Sequence, residues 1–156
     1  MPQCAAVSDS ADALTAHARC LNREVQQIQS RLFVGPKTPG DVCAELVRLL
    51  VECGENWGGM DEEPIKPGAI NEALRLVERL PSGVSMPEVL PEPDGDVALS
   101  WYFESSNELI LSFTDSGRVA YCATISGGTT HGMVEPEERD SKLASLVLAL
   151  HDEAPK

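Results

Sequence analysis

Apolar residues spaced alternately four and three positions apart predict a long first helix, from about Ser10 to Phe33. This spacing is a heptad seam, which is narrower than the apolar stripe of a helix docked fully on a globular core. The seam consists of Leu14, Ala18, Leu21, Val25, Ile28 and Leu32. Two arrangements fit it: an antiparallel hairpin with the next helix, or a homodimer contact through this first helix.

Three further helices are predicted. The second begins after Gly35-Pro36, because Thr38 can cap it and Pro39 suits its first position. Its apolar face contains Val42, Leu46, Leu49, Leu50 and Cys53. The third runs from Pro67 to Leu80, with Ile70, Ala73, Leu74, Val77 and Leu80 on one stripe. The last runs from about Pro136 to Leu150, with Leu143, Leu146, Val147 and Leu150 on one face.

The hydrophobic period changes to two from Met86 onwards, which predicts strands. Asp94-Gly95 is a hairpin turn signal, and the later breaks in the pattern are equally short. Because such connections leave no room for crossover helices, the strands should form an antiparallel meander. Pro87 and Pro91 confine the first strand to an edge of the sheet.

The element order therefore predicts an α+β fold, with an N-terminal helical hairpin, a third helix, an antiparallel meander of four to five strands and a C-terminal helix packed on the sheet. A chain of 156 residues is the size of a single domain. Within it we distinguish a helical hairpin (1–54), a junction loop (55–66) and a helix–sheet–helix part (67–156).

The junction loop has no regular period and combines a tryptophan, two glycines and three consecutive acids. Trp57 is either a plug seated on the core or an exposed anchor for a partner. We favour the plug, since large aromatic side chains bury well. The interaction candidates are Trp57, Asp61, Glu62 and Glu63 in this loop, and Leu14, Leu21 and Ile28 on the first helix.

The net charge of −13 is distributed unevenly. Residues 1–53 carry five Lys/Arg against six Asp/Glu, whereas residues 54–156 carry seven against nineteen. Such a field repels nucleic acid and anionic lipid, so we expect no direct nucleic-acid partner and no membrane partner. It complements a basic protein. No apolar run reaches the roughly 18–20 residues that cross a bilayer, and the N-terminal residues lack signal-peptide features, so we expect a cytoplasmic location.

The sequence carries little that is typical of catalysis. Five cysteines without a C-x-x-C pair argue against a zinc ribbon or a disulfide framework, and Cys43, Cys53 and Cys122 are predicted to be buried thiols. His131 is the one histidine near a strand end, but no G-x-S-x-G elbow accompanies it. Neither a phosphate-binding loop nor a calcium loop is recognised. We therefore predict no catalytic residue, no cofactor and no metal.

The series of motifs resembles a widespread group of small uncharacterised bacterial proteins. The residues that carry the resemblance are Asn56-Trp57-Gly58-Gly59, Pro64-Ile65-Lys66-Pro67, Pro91-Glu92-Pro93-Asp94-Gly95 and Leu99-Ser100-Trp101, within residues 46–134. In that group the first motif is typically Asn-Trp-Asp-Gly. Here Gly58 replaces the aspartate, so any role of that carboxylate is absent or moved to Asp61. Such proteins are frequent in mobile and accessory gene regions.

These features favour a non-catalytic protein over an enzyme. We expect an antitoxin-like or immunity-like component of a bacterial accessory or mobile-element operon, which uses an acidic surface to bind a basic partner protein. The alternative is a small-ligand sensor or enzyme with a pocket between the sheet and the junction loop. That alternative needs polar residues that converge near Trp57, Trp101 and His131.

Overall fold

The computed structural model describes residues 36–103 and 106–152. It contains three helices, α1 (Pro39–Glu52), α2 (Pro67–Glu78) and α3 (Arg139–Asp152). The strands are β1 (Glu88–Pro91), β2 (Val97–Tyr102), β3 (Glu108–Phe113), β4 (Val119–Ile125) and β5 (Gly128–Val134). These elements belong to one unit, residues 37–156. The predicted first helix, with Leu14, Leu21 and Ile28, lies outside the described residues.

The α+β class and the antiparallel meander are confirmed. The sheet has five strands in the order β1-β2-β3-β4-β5, and each neighbouring pair is antiparallel. β1 lies at an edge, as its prolines predicted. β5 forms the opposite edge and runs from Gly128 to Val134.

The three helices bury one face of the sheet. α2 contacts β2 and β3, α3 contacts β3 and β4, and α1 contacts β1 and α2. Side chains at alternate strand positions supply the sheet's half of the core, because successive residues of a strand point to opposite faces. They include Leu99 and Trp101 of β2, Leu109 and Leu111 of β3, and Val119 of β4. The predicted packing of the C-terminal helix on the sheet is thus confirmed.

The helix ends differ from the prediction at two places. α3 begins at Arg139 instead of Pro136, because residues 135–138 form a turn in which the Glu138 amide donates to the Glu135 carbonyl at 3.1 Å. α2 ends at Glu78, two residues before Leu80. α1 matches its signals closely, since Thr38 and Asp41 form a reciprocal capping box.

The predicted apolar face of α1 is correct except at its rim. Val42, Leu46 and Cys53 are buried in the core, whereas Leu50 is exposed. Leu50 follows Val42 by eight residues, which places its side chain at the margin of the face. None of the three described helices combines the length and the apolar character needed to cross a membrane.

Candidate functional site

The junction loop is built around the carboxylate of Glu62. This side chain is only 8% exposed, and its Oε2 accepts hydrogen bonds from the amides of Gly58 (3.1 Å) and Met60 (3.0 Å). The hydrogen bond from the Met60 amide lowers the pKa of Glu62, and the amide of Gly58 adds to that effect against the cost of burial. Glu62 therefore stabilises the loop from inside.

Two residues with left-handed backbones complete the loop. Asn56 has φ of 54° and Asp61 has φ of 61°, a conformation that asparagine and aspartate adopt more readily than most residues. The Asn56 side chain accepts from the Asp61 amide at 2.9 Å, and the Asn56 amide donates to the Glu62 carbonyl at 2.9 Å. Asp61 thus contributes its backbone to the loop, while its side chain is exposed.

Trp57 packs partly buried against the hydrophobic core. Its indole Nε1 donates to the Glu63 carbonyl at 3.3 Å. These two contacts agree with a plug that holds the loop on the core.

The junction loop is also attached to the turn between β1 and β2. The Glu63 amide donates to the Pro93 carbonyl at 2.8 Å, and the Lys66 amide donates to the Gly95 carbonyl at 2.9 Å. Gly95 has φ of 81°, and a Cβ there would lie 2.6 Å from the Pro64 carbonyl oxygen. Only glycine allows so close an approach of two backbones.

This attachment gathers carboxylates at one end of the sheet. The Lys66 Nζ lies 3.4 Å from Asp96 Oδ1 and 3.9 Å from Glu63 Oε2. Asp94 lies in the same turn as Asp96, and Asp115 packs against Gly68 at the start of α2. We call Glu63, Asp94, Asp96 and Asp115, together with Lys66, the acidic end.

The acidic end does not behave as a balanced ion pair. Burial acts to lower the pKa of Lys66, but the charges of Asp96, Asp115 and Glu63 outweigh it, and the pKa is raised. An isolated pair would lower the pKa of Asp96, yet burial and the charge of Asp94 raise it despite Lys66. With four carboxylates and one ammonium group, the acidic end has a negative formal charge, which a cationic side chain would complement.

His131 lies in β5 directly opposite Cys122 of β4. Both residues are exposed, on the sheet face that the described helices leave open. The prediction of a buried thiol is thus wrong for Cys122. Successive residues of a strand point to opposite faces of the sheet, and the next residue, Ala123, points into the core. The prediction holds for Cys53, while Cys43 is only partly buried.

A serine–histidine contact that the sequence did not indicate joins α3 to the loop before β1. His151 Nε2 accepts from the Ser85 amide at 3.0 Å and lies 2.9 Å from Ser85 Oγ. Its Nδ1 lies 2.7 Å from the Val147 carbonyl, so we assign the proton to Nδ1 from this hydrogen-bond pattern. Because the Ser85 amide occupies Nε2, the contact resembles a structural clamp more than a nucleophile with its base.

A shallow cleft lies between α2 and α3. Arg139 is buried on its floor and pairs with Glu72, and Arg79 pairs with Asp140 at its rim. Leu76 and Leu143 supply apolar lining. This cleft lies away from the junction loop, where the alternative function placed a ligand pocket.

The structure thus separates the candidate residues of the junction loop. Glu62 is buried, Trp57 is partly buried against the core, Asp61 faces solvent, and Glu63 joins the acidic end. The sequence missed Asp94, Asp96 and Asp115 as members of one cluster. A signal was available, since the first and third turns of a meander lie at the same end of its sheet.

Within the described residues, no group of three or more His, Cys, Asp or Glu side chains is placed to hold a metal ion. Comparisons of the chain with protein-family models, curated proteins and solved structures found no match.

Proposed function

We propose that this chain is a non-catalytic protein-binding component that uses its acidic end to bind a basic partner protein. The observation that supports this proposal is the acidic end, where Lys66 Nζ lies 3.4 Å from Asp96 Oδ1 and 3.9 Å from Glu63 Oε2, the charge of Asp115 also acts on Lys66, and Asp94 acts on Asp96. A Lys or Arg side chain of a partner would supply the missing positive charge. Such a charge complement also speeds the encounter of two proteins.

The placement of the positive charges supports the same proposal. Many of the described basic side chains are held in ion pairs within the chain and do not face a partner as free cations. They are Lys37, Arg48, Lys66, Arg75, Arg79, Arg118 and Arg139. Lys142 lies over the ring of Tyr121, 5.9 Å from its centroid. The surface field is therefore set by the acids.

An antitoxin-like or immunity-like role in a bacterial accessory or mobile-element operon follows from this proposal together with the resemblance of the motif series. In that role the acidic end covers a basic surface of an effector and blocks it. The expected partner is the protein product of a neighbouring gene, whose toxicity the chain suppresses.

Two charge-reversal variants test the proposal. Asp94→Lys with Asp115→Lys reverses the acidic end, and Glu78→Lys with Asp152→Lys makes the same change in net charge at the ends of α2 and α3. Each variant is affinity-purified from the native cells. The unaltered chain and the Glu78→Lys, Asp152→Lys variant should recover a stoichiometric basic partner, and the Asp94→Lys, Asp115→Lys variant should not. Equal recovery by both variants, or failure of the unaltered chain to recover a partner, contradicts the proposal.

A further inference from the structure

The two edges of the sheet are built differently. In the β1–β2 pair the hydrogen-bonded residues include Glu92, whose amide donates to the Asp96 carbonyl. Since hydrogen-bonded and non-hydrogen-bonded pairs alternate along an antiparallel ladder, the odd-numbered residues of β1 point their backbone groups away from the sheet. Pro87 and Pro91 occupy such positions and have no N–H. The Pro87 carbonyl accepts from Lys37 Nζ at 3.0 Å.

The edge formed by β5 has no such protection in the described part of the chain. β4 and β5 are joined by Ser126 and Gly127, both with positive φ, in a two-residue hairpin that pairs Ile125 with Gly128. This closing pair is hydrogen-bonded, so Gly128 and the even-numbered residues after it bond to β4. Thr129, His131 and Met133 therefore direct their N–H and C=O groups outward.

β5 also lacks the features that usually block an edge strand. Its seven residues, Gly128–Val134, include no proline and no charged side chain, and most of them are exposed. By contrast, β1 has only four residues and is preceded by Pro87 and ends at Pro91, both of which lack an outward N–H. Lys37 also covers this edge, since it donates to the Pro87 carbonyl. Among residues 36–103 and 106–152, the β1 edge is protected and nothing covers the β5 edge.

We infer that the outward edge of β5 binds an extended segment of the basic partner as a sixth strand, an inference that rests on the proposed function and deepens it. The outward groups of Thr129, His131 and Met133 would pair with the backbone of that segment. Exposed Glu137 and Glu138, in the turn just after β5, would meet basic side chains at one end of it.

Charge and size decide between this occupant and a second copy of the chain. A second copy would bring another charge of −13 to the contact. An edge of seven residues is about 23 Å long and only one strand wide, so strand pairing there does not by itself supply the roughly 1,000 Å² of buried area that a stable interface between two folded chains needs. A basic segment is attracted to the same edge.

Amide exchange measured by NMR on the full chain tests the edge directly. In the free protein the amides of Thr129, His131 and Met133 should exchange rapidly, while those of Thr130, Gly132 and Val134 should be protected. Addition of a synthetic seven-residue peptide of alternating lysine and valine should protect the outward set. Protection of that set in the free protein overturns the inference: a dependence on concentration would identify a second copy, and independence would identify another part of the same chain.

Two variants at one position separate the backbone from the side chain. His131→Pro removes an outward N–H that is not used by β4, and His131→Ala removes only the imidazole. The lysine–valine peptide should bind His131→Pro roughly tenfold more weakly than His131→Ala, as expected for a lost hydrogen bond and a steric block. Thr129→Pro serves in the same way if His131→Pro does not fold.

Failure of the inference can be distinguished from failure of the proposed function. Equal peptide affinities for the proline and alanine variants overturn strand addition at β5. If the partner is nevertheless recovered from cells, and lost on reversal of Asp94 and Asp115, the proposed function stands without strand addition. If the partner is never recovered, the proposed function fails by itself.

Discussion

A side chain on residue 58 would occupy the space that the Glu62 carboxylate fills. A Cβ built on Gly58 would lie 2.9 Å from Glu62 Cδ and still closer to its Oε1, so only glycine fits beside this carboxylate. Glu62 supplies the carboxylate that accepts hydrogen bonds from the loop amides of Gly58 and Met60, whereas the neighbouring Asp61 faces solvent.

Gly58→Ala should destabilise the chain by about 1–3 kcal/mol, the range for adding a methyl group to a packed site. The added Cβ displaces the Glu62 carboxylate from the amides of Gly58 and Met60. Gly54→Ala is the matched control, since a Cβ there meets no atom within 4 Å. It should be neutral or stabilise the chain by up to about 1 kcal/mol. Urea denaturation measures both.

A double-mutant cycle tests whether contact with Glu62 causes the destabilisation by Gly58→Ala. In a Glu62→Ala background, Gly58→Ala should lose most of its effect, because the colliding carboxylate is gone. Equal costs of Gly58→Ala in the two backgrounds would show that the glycine is required for another reason.

Trp57→Ala should lower the free energy of unfolding by roughly 2 kcal/mol. A fully buried tryptophan loses about 3–5 kcal/mol on truncation, and Trp57 is only partly buried. Trp101, which is 2% exposed and donates to the Ser85 carbonyl at 2.8 Å, should show the full loss. Thermal or urea unfolding of both alanine variants gives the comparison. An unchanged stability of Trp57→Ala with loss of partner binding would make Trp57 an anchor.

The sequence predicted the parts of this fold that depend on local signals. The helix cap at Thr38, the edge position of the strand with Pro87 and Pro91, and the Asp94-Gly95 turn all follow from residue types at short spacing. The burial of Glu62 cannot be predicted in this way, because nothing in the sequence distinguishes it from the neighbouring acids Asp61 and Glu63. Their difference arises from the positive φ of Asn56 and Asp61, which turns the amides of the loop toward one carboxylate.

The acidic end could be predicted only in part for a similar reason. Asp94 is predicted as a turn residue, yet the approach of Asp96 and Asp115 to Lys66 depends on where the junction loop docks. That docking rests on backbone contacts, such as the Lys66 amide to the Gly95 carbonyl, which leave no residue-type signal apart from glycine. Burial of Asp96 likewise follows from tertiary packing.

Acidification should stabilise the chain relative to its Asp96→Asn variant. Burial and the charge of Asp94 raise the pKa of Asp96 in the folded chain above its ordinary value of 3.8. The folded state therefore binds this proton more tightly than the unfolded state. As the pH falls from above the raised pKa towards 3.8, protonation of Asp96 therefore increases the free energy of unfolding. Denaturation curves of the two proteins between pH 7 and pH 4 measure the difference.

Two other carboxyl groups, those of Asp41 and Glu62, have lowered pKa values, and their effect is the same in both proteins. Backbone hydrogen bonds lower the pKa values of Asp41 and Glu62, so their stabilisation is present above their ordinary pKa values and is lost at lower pH, equally in both proteins. Asp94→Asn should reduce the acid-induced gain, because it removes one cause of the raised pKa. A difference in stability between chain and variant that does not change with pH would contradict the raised pKa of Asp96.

His151→Ala should destabilise the chain by about 1–2 kcal/mol, because it leaves the Ser85 amide without its acceptor. The ring also meets Phe103 edge to face at 5.3 Å, so packing is lost together with the hydrogen bond. Ser85→Ala keeps the amide and removes only the hydroxyl, and should change stability by less than about 0.5 kcal/mol. Urea denaturation of both variants measures the contrast. If Ser85→Ala cost as much as His151→Ala, the hydroxyl would be the important partner of the imidazole, and a chemical role for the pair would return.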